Sequence, residues 1–263
     1  MGHAVAAELR KFFTTRMWWG MAIGVFVAGA GMAALFALLA LDSPEFAEAG
    51  VSGIDDPAAV RTVYTGGLGV SYLLTLAIGV LAIGTEYRHK TITATFLATP
   101  KRSIVMTTKV IALLVIGAFY GLVSLVGAVG VGATVIAAKG GSPFPDGTIW
   151  RTLALSLLVL GLWALIGLGA GILIPNQVAA LLISIGVAWI VEPILAMIFS
   201  VQSWGGDIAK FFPSSATNAT LSGLSQTPDA PTLTWWAGAL VLAGYAAAMT
   251  AVGTALTLRR DVS

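Results

Sequence analysis

The sequence predicts an all-α polytopic membrane protein with six transmembrane helices, and three observations predict it. Apolar residues make up 57% of the 263 and charged residues only 10%, whereas a soluble domain carries about 25% charge. Six segments stay apolar, without Lys or Arg, for close to the roughly 20 residues that carry a helix across about 30 Å of hydrocarbon. The two-residue alternation of a membrane strand is missing, which excludes a barrel.

The elements follow in chain order. From Ala4 to Arg16, Val5, Leu9, Phe12 and Phe13 recur at helical spacing with Glu8, Lys11, Thr14 and Thr15 opposite, the pattern of an amphipathic helix lying on the inner surface of a bilayer. Trp18 and Trp19 follow at the depth indole rings prefer. The first span, Met17 to Leu41, is too long for the apolar core of a cleaved signal and no small-residue cleavage site precedes Asp42, so it reads as an anchor. The others are expected over Leu68 to Gly84, Val110 to Ala138, Leu153 to Ile174, Val178 to Phe199 and Trp235 to Leu258. Only Pro175, Asn176 and Gln177 separate the fourth from the fifth, which predicts a tight antiparallel hairpin. The outer stretch from Val201 to Thr234 mixes Trp204, Phe211, Phe212 and Pro213 with small polar residues. It reads equally as an ordinary loop or as a segment packed into the outer leaflet.

Orientation comes from the basic residues. Ten of the 14 lie before the first span, between the second and third, or after the sixth, including Arg10, Lys11, Arg16, Arg88, Lys90, Lys101, Arg102, Lys109, Arg259 and Arg260. The other side gathers acids such as Asp42, Glu45, Asp55, Asp146 and Asp207. The positive-inside rule then places both termini in the cytoplasm, which requires an even number of spans. The whole chain, 1–263, is expected to be one membrane domain; its Ala, Gly and Val richness is that of a GC-rich bacterial genome, and a bacterial plasma membrane is the expected location.

Several chemistries are excluded. Cysteine is absent, and the two histidines, His3 and His89, cannot make a metal cluster alone. There is no H-E-x-x-H, no G-x-S-x-G and no G-x-x-x-x-G-K-[ST] phosphate loop, so neither an intramembrane hydrolase nor an ATPase is expected, and no cofactor on this chain. The pI near 9.0 reflects topology and not nucleic-acid binding. Glycine pairs at Gly20/Gly24, Gly117/Gly121 and Gly167/Gly171 suit close helix packing within the chain, or between two copies. Glu192, followed by Pro193, is the one carboxylate clearly inside a span. It is expected to reach water at a helix kink or to line a substrate path, and it is the relay on which a proton- or ion-coupled secondary carrier would depend.

The connection Gly84 to Lys109 is the most informative stretch. It is too polar for the bilayer, yet Ile92, Phe96 and Leu97 give it an apolar stripe that Pro100 closes. A short helix over 86–100 that docks on lipid or on a soluble partner is predicted. Glu86 at its membrane end is costly unless it is solvated or paired with a neighbour such as Arg88 or Arg102. The order Glu86, Arg88, Thr91, the Leu-Ala-Thr-Pro ending at Pro100, Arg102 and Lys109 resembles the corresponding loop of type 2 ABC-transporter permeases, the membrane subunits of ATP-driven exporters. That resemblance implies six spans, an amino-terminal interfacial helix and a coupling helix seated in a cleft of a separate nucleotide-binding ATPase subunit. It further implies ATP and Mg on that partner, a second permease copy or related permease, and outward movement of a hydrophobic or amphiphilic substrate such as a drug, lipid or peptide.

Overall fold

The computed structural model describes residues 2–40, 53–98, 101–202, 204–221 and 232–259. Among them every regular element is a helix, and six helical segments are long and apolar enough to cross a membrane, the architecture expected of a multi-pass membrane protein. Helix α1, Gly2–Phe13, ends where the Thr14 and Thr15 hydroxyls donate to the Lys11 and Phe12 carbonyls. Such side-chain bonds compete with the helical ladder. Helix α2, Met17–Leu35, follows and runs into a π-helical turn, Phe36–Ala40.

Helix α3, Pro57–Thr65, starts at Asp56, whose carboxylate accepts from the Ala58 amide at 2.8 Å while Pro57 occupies the first turn. Gly66 and Gly67 separate it from α4, Leu68–Arg88. A Cβ on Gly67 would stand 2.6 Å from the Ala28 carbonyl oxygen of α2, so the break lies where two backbones meet. After α5, Thr91–Ala98, come α6, Arg102–Ala138, and α7, Thr148–Leu173. Asp146 accepts from both the amide and the hydroxyl of Thr148 at the start of α7, and that hydroxyl chiefly holds its carboxyl below the ordinary carboxylate value. Helix α4 therefore extends beyond the expected Gly84, and α6 begins before the expected Val110. Apolarity marks where hydrocarbon begins, and a helix continues past that plane while its backbone bonds last.

Asn176 caps α8, Gln177–Gly186, by accepting from the amides of Val178 and Ala179, which makes the predicted hairpin. A π-helical turn, Val187–Val191, links α8 to α9, Glu192–Ser200. Two short helices follow, α10 at Gly205–Ala209 and α11 at Pro213–Leu221, and α12 covers Trp235–Arg259. The stretch after the fifth span thus returns to the protein. Ala216, Thr217, Thr220 and Leu221 of α11 are buried, and the Trp163 indole donates to the Thr217 hydroxyl at 2.9 Å. A Cβ on Gly238 of α12 would lie 2.6 Å from the Ala216 carbonyl oxygen.

Helix α4 packs against α2, α6, α7 and α8. Its tightest neighbour is α7: a Cβ on Gly79 would overlap the Ala164 carbonyl, and one on Gly167 would overlap that of Leu76. Gly117 and Gly121 of α6 likewise admit Gly161 and Leu157 of α7. Two of the three glycine pairs therefore serve packing within the chain. Gly20 meets open space, and Gly24 only a leucine side chain.

Replacing Gly167 by Val should cost about 1–3 kcal/mol through overpacking against backbone. Gly20→Val should leave stability near wild type, since no atom lies within 4 Å of its Cβ position. Thermal unfolding of the two purified variants in one detergent checks the contrast.

Candidate functional site at the basic end of the bundle

The predicted loop helix forms as α5. Its entry is abrupt: α4 closes at Arg88, and Lys90 adopts φ 54°, a left-handed conformation unusual for a side-chain-bearing residue. That residue turns the chain so that α5 leaves the line of the span. Thr91 and Arg88 are exposed, and Leu97 is 78% exposed, a large apolar side chain held outward. Ile92 departs from the expected docking stripe. It is 3% exposed and belongs to the main apolar cluster, because it seats α5 against the ends of α4 and α6. The Phe96 side chain and Pro100 lie outside the described residues.

Glu86 belongs to the last turn of α4, not to the short helix, and is 1% exposed. Its partner is neither Arg88 nor Arg102. Two residues along a helix rotate a side chain by about 200°, so Arg88 points to the exposed face when Glu86 points inward. Glu86 Oε1 instead accepts from Lys109 Nζ at 2.6 Å and from Lys11 Nζ, and Lys109 Nζ also donates to Glu8 Oε2 at 3.0 Å. Lys109 is 3% exposed and Lys11 50%. Glu86 Oε2 is buried with no hydrogen-bond partner among the described residues. Two acids and two lysines from α1, α4 and α6 thus neutralise one another where the spans end.

Helix α1 is held by its apolar side as well. Phe12 packs edge-on against Tyr120, with ring centroids 6.1 Å apart, and Phe13 against Phe119 at 5.4 Å. The Tyr120 hydroxyl reaches the Trp18 carbonyl at 2.9 Å. The stripe expected on lipid therefore faces α6: Phe12 is buried, Leu9 and Phe13 pack on the same cluster, and Val5 is half-buried. Periodicity reveals an apolar face but not whether protein or lipid covers it. Glu8 and Lys11 were visible in the sequence only as the polar face of this helix. Their spacing of three, which puts both on one side, is the signal that could have linked them to a distant charge.

At the far end Glu192 is also satisfied by protein. It is buried, and its Oε1 accepts from the Ser214 amide at 2.6 Å, in the first turn of α11. A carboxylate there meets unpaired amides and the positive end of the helix. The kink expected at Pro193 is a π-helical turn ending at Val191.

A scan against protein-family models and a search of curated proteins each return no match for this chain. The fold and these two clusters define a polytopic helical membrane protein with a fastened helix and an exposed short helix at its basic end.

Lys109→Ala leaves Glu86 as a buried charge whose other lysine is half exposed, and losing one partner of a buried pair costs about 3–5 kcal/mol. A large drop in the detergent melting temperature is the expected reading. Glu192→Ala removes a helix cap, costing about 1 kcal/mol, whereas Glu192→Gln keeps an acceptor. Hydrogen exchange over residues 213–221 should rise in the first variant and stay near wild type in the second.

Proposed function

We propose that this chain is the membrane permease subunit of an ABC-type exporter, driven by ATP hydrolysis on a separate nucleotide-binding subunit. One observation carries the reading: α5 hangs between the second and third spans on a turned linkage, seated by Ile92, with Leu97, Thr91 and Arg88 held outward. An amphipathic helix with one anchored and one exposed apolar position is suited to fill a groove on a soluble partner. Arg88, Thr91, Arg102 and Lys109 also stand in the order that resembles the coupling loop of type 2 permeases. Lys109 and Glu86 act from within, supporting the loop and not touching the partner.

In this reading the basic end faces the cytoplasm of a bacterium and the far end opens outward. The chain performs no catalysis, and ATP and Mg are handled by the partner. The fifth span is the least buried of the six, and the reading places a second copy or a related permease beside it. The cargo is hydrophobic or amphiphilic: a drug, a lipid or a peptide.

Affinity purification of the tagged chain from its native membrane should recover a soluble subunit bearing a phosphate loop. Leu97→Asp should abolish that recovery and the associated ATP hydrolysis while membrane insertion stays intact. Recovery of the chain alone, without ATPase activity, would favour a secondary carrier.

A further inference from the structure

We propose that Glu86 is a positioning residue that fastens α1 to the ends of α4 and α6, so that α1, α5 and these helix ends move as one body. Its two lysines come from different elements: Lys109 from α6 and Lys11 from α1. Glu8 of α1 closes the ring on Lys109. Helix α1 therefore contributes one acid and one base from adjacent turns to a single buried centre.

Aromatic contacts alone would leave α1 a degree of freedom. Phe12 and Phe13 set its distance from α6, but apolar packing is not directional, and a helix held by rings on one side can roll about its axis. The ring of charges is directional, because Glu8 and Lys11 must both point at Lys109 and Glu86 for their bonds to form. Among the described residues Glu86 Oε2 has no hydrogen-bond partner, and both lysines meet this carboxylate through Oε1. Helix α5 joins the same body through Ile92, which shares one buried cluster with Phe12, Val105 and Met106. A displacement of α5 is then felt by α1 and both spans together.

This inference goes beyond the export reading and does not depend on it, because its test needs neither an ATPase nor a substrate. The chain has no cysteine, so Ala7→Cys on the exposed side of α1 and Leu97→Cys on α5 give two unique spin-label sites. The labelled chain is diluted with unlabelled chain to suppress distances between copies and measured by pulsed electron resonance. A single narrow distance is expected in the parent. Glu86→Gln and Lys11→Ala should each lose that single peak, and Lys11→Arg should keep it. Lys11 is half exposed, so Lys11→Ala folds and decides the matter should Glu86→Gln fail to. A narrow peak unchanged in Lys11→Ala, or a broad distribution in the parent, would overturn the proposal.

Discussion

The structure depends most on how one buried carboxylate at the end of a span is partnered. Glu86 is buried at the end of α4, the helix against which α2, α6, α7 and α8 pack. A charge removed from water is tolerated when opposite charge and hydrogen bonds replace its hydration, and is strongly destabilising when one partner is lost. Lys109 and Lys11 supply that replacement, and in doing so they draw the amino-terminal helix and the third span onto α4. The same ionic contact therefore ties α1 and the start of α6 to the end of α4.

Within the bundle another constraint takes over. Hydrocarbon offers no hydrophobic drive between apolar helices, so association relies on close approach and on polar contacts between them. Gly79, Gly117, Gly167 and Gly171 provide the approach along α4, α6 and α7. Ser71 and Ser124, 3.1 Å apart and buried, provide a polar contact between α4 and α6. Where helices begin, side chains satisfy their free amides: Asp56 for α3, Asn176 for α8 and Glu192 for α11. Three unrelated stretches thus use one device, an oxygen placed at a helix start.

These constraints divide the molecule mechanically. Helices α1, α4, α5 and α6 are joined by charge and by one apolar cluster at the basic end. The fifth span is different: along α8, the π-helical turn and α9 most side chains are exposed, and Glu192 ties its outer part to α11. A π-helical turn in an otherwise exposed span is a local departure of the kind found at functional positions. On the export reading, a rigid basic end that receives motion and a lightly held span that yields to it form a workable pair.

Composition and spacing by themselves determined the class: six apolar stretches, their basic flanks, the Pro175–Gln177 hairpin and the short helix after the second span are local properties. Each is fixed by the cost of placing a charge or an unpaired backbone group in hydrocarbon. Neighbours in sequence did not identify the partner of Glu86, because that choice is set by which helix faces meet, and Lys109 and Lys11 lie 23 and 75 residues away. Tertiary packing also decided that Phe12 and Phe13 face α6 and not lipid, that Ile92 turns inward while Leu97 stays out, and that the segment carrying Ser214 returns to meet Glu192. A periodic pattern shows that a face is apolar or polar, but only the assembled helices decide what covers it.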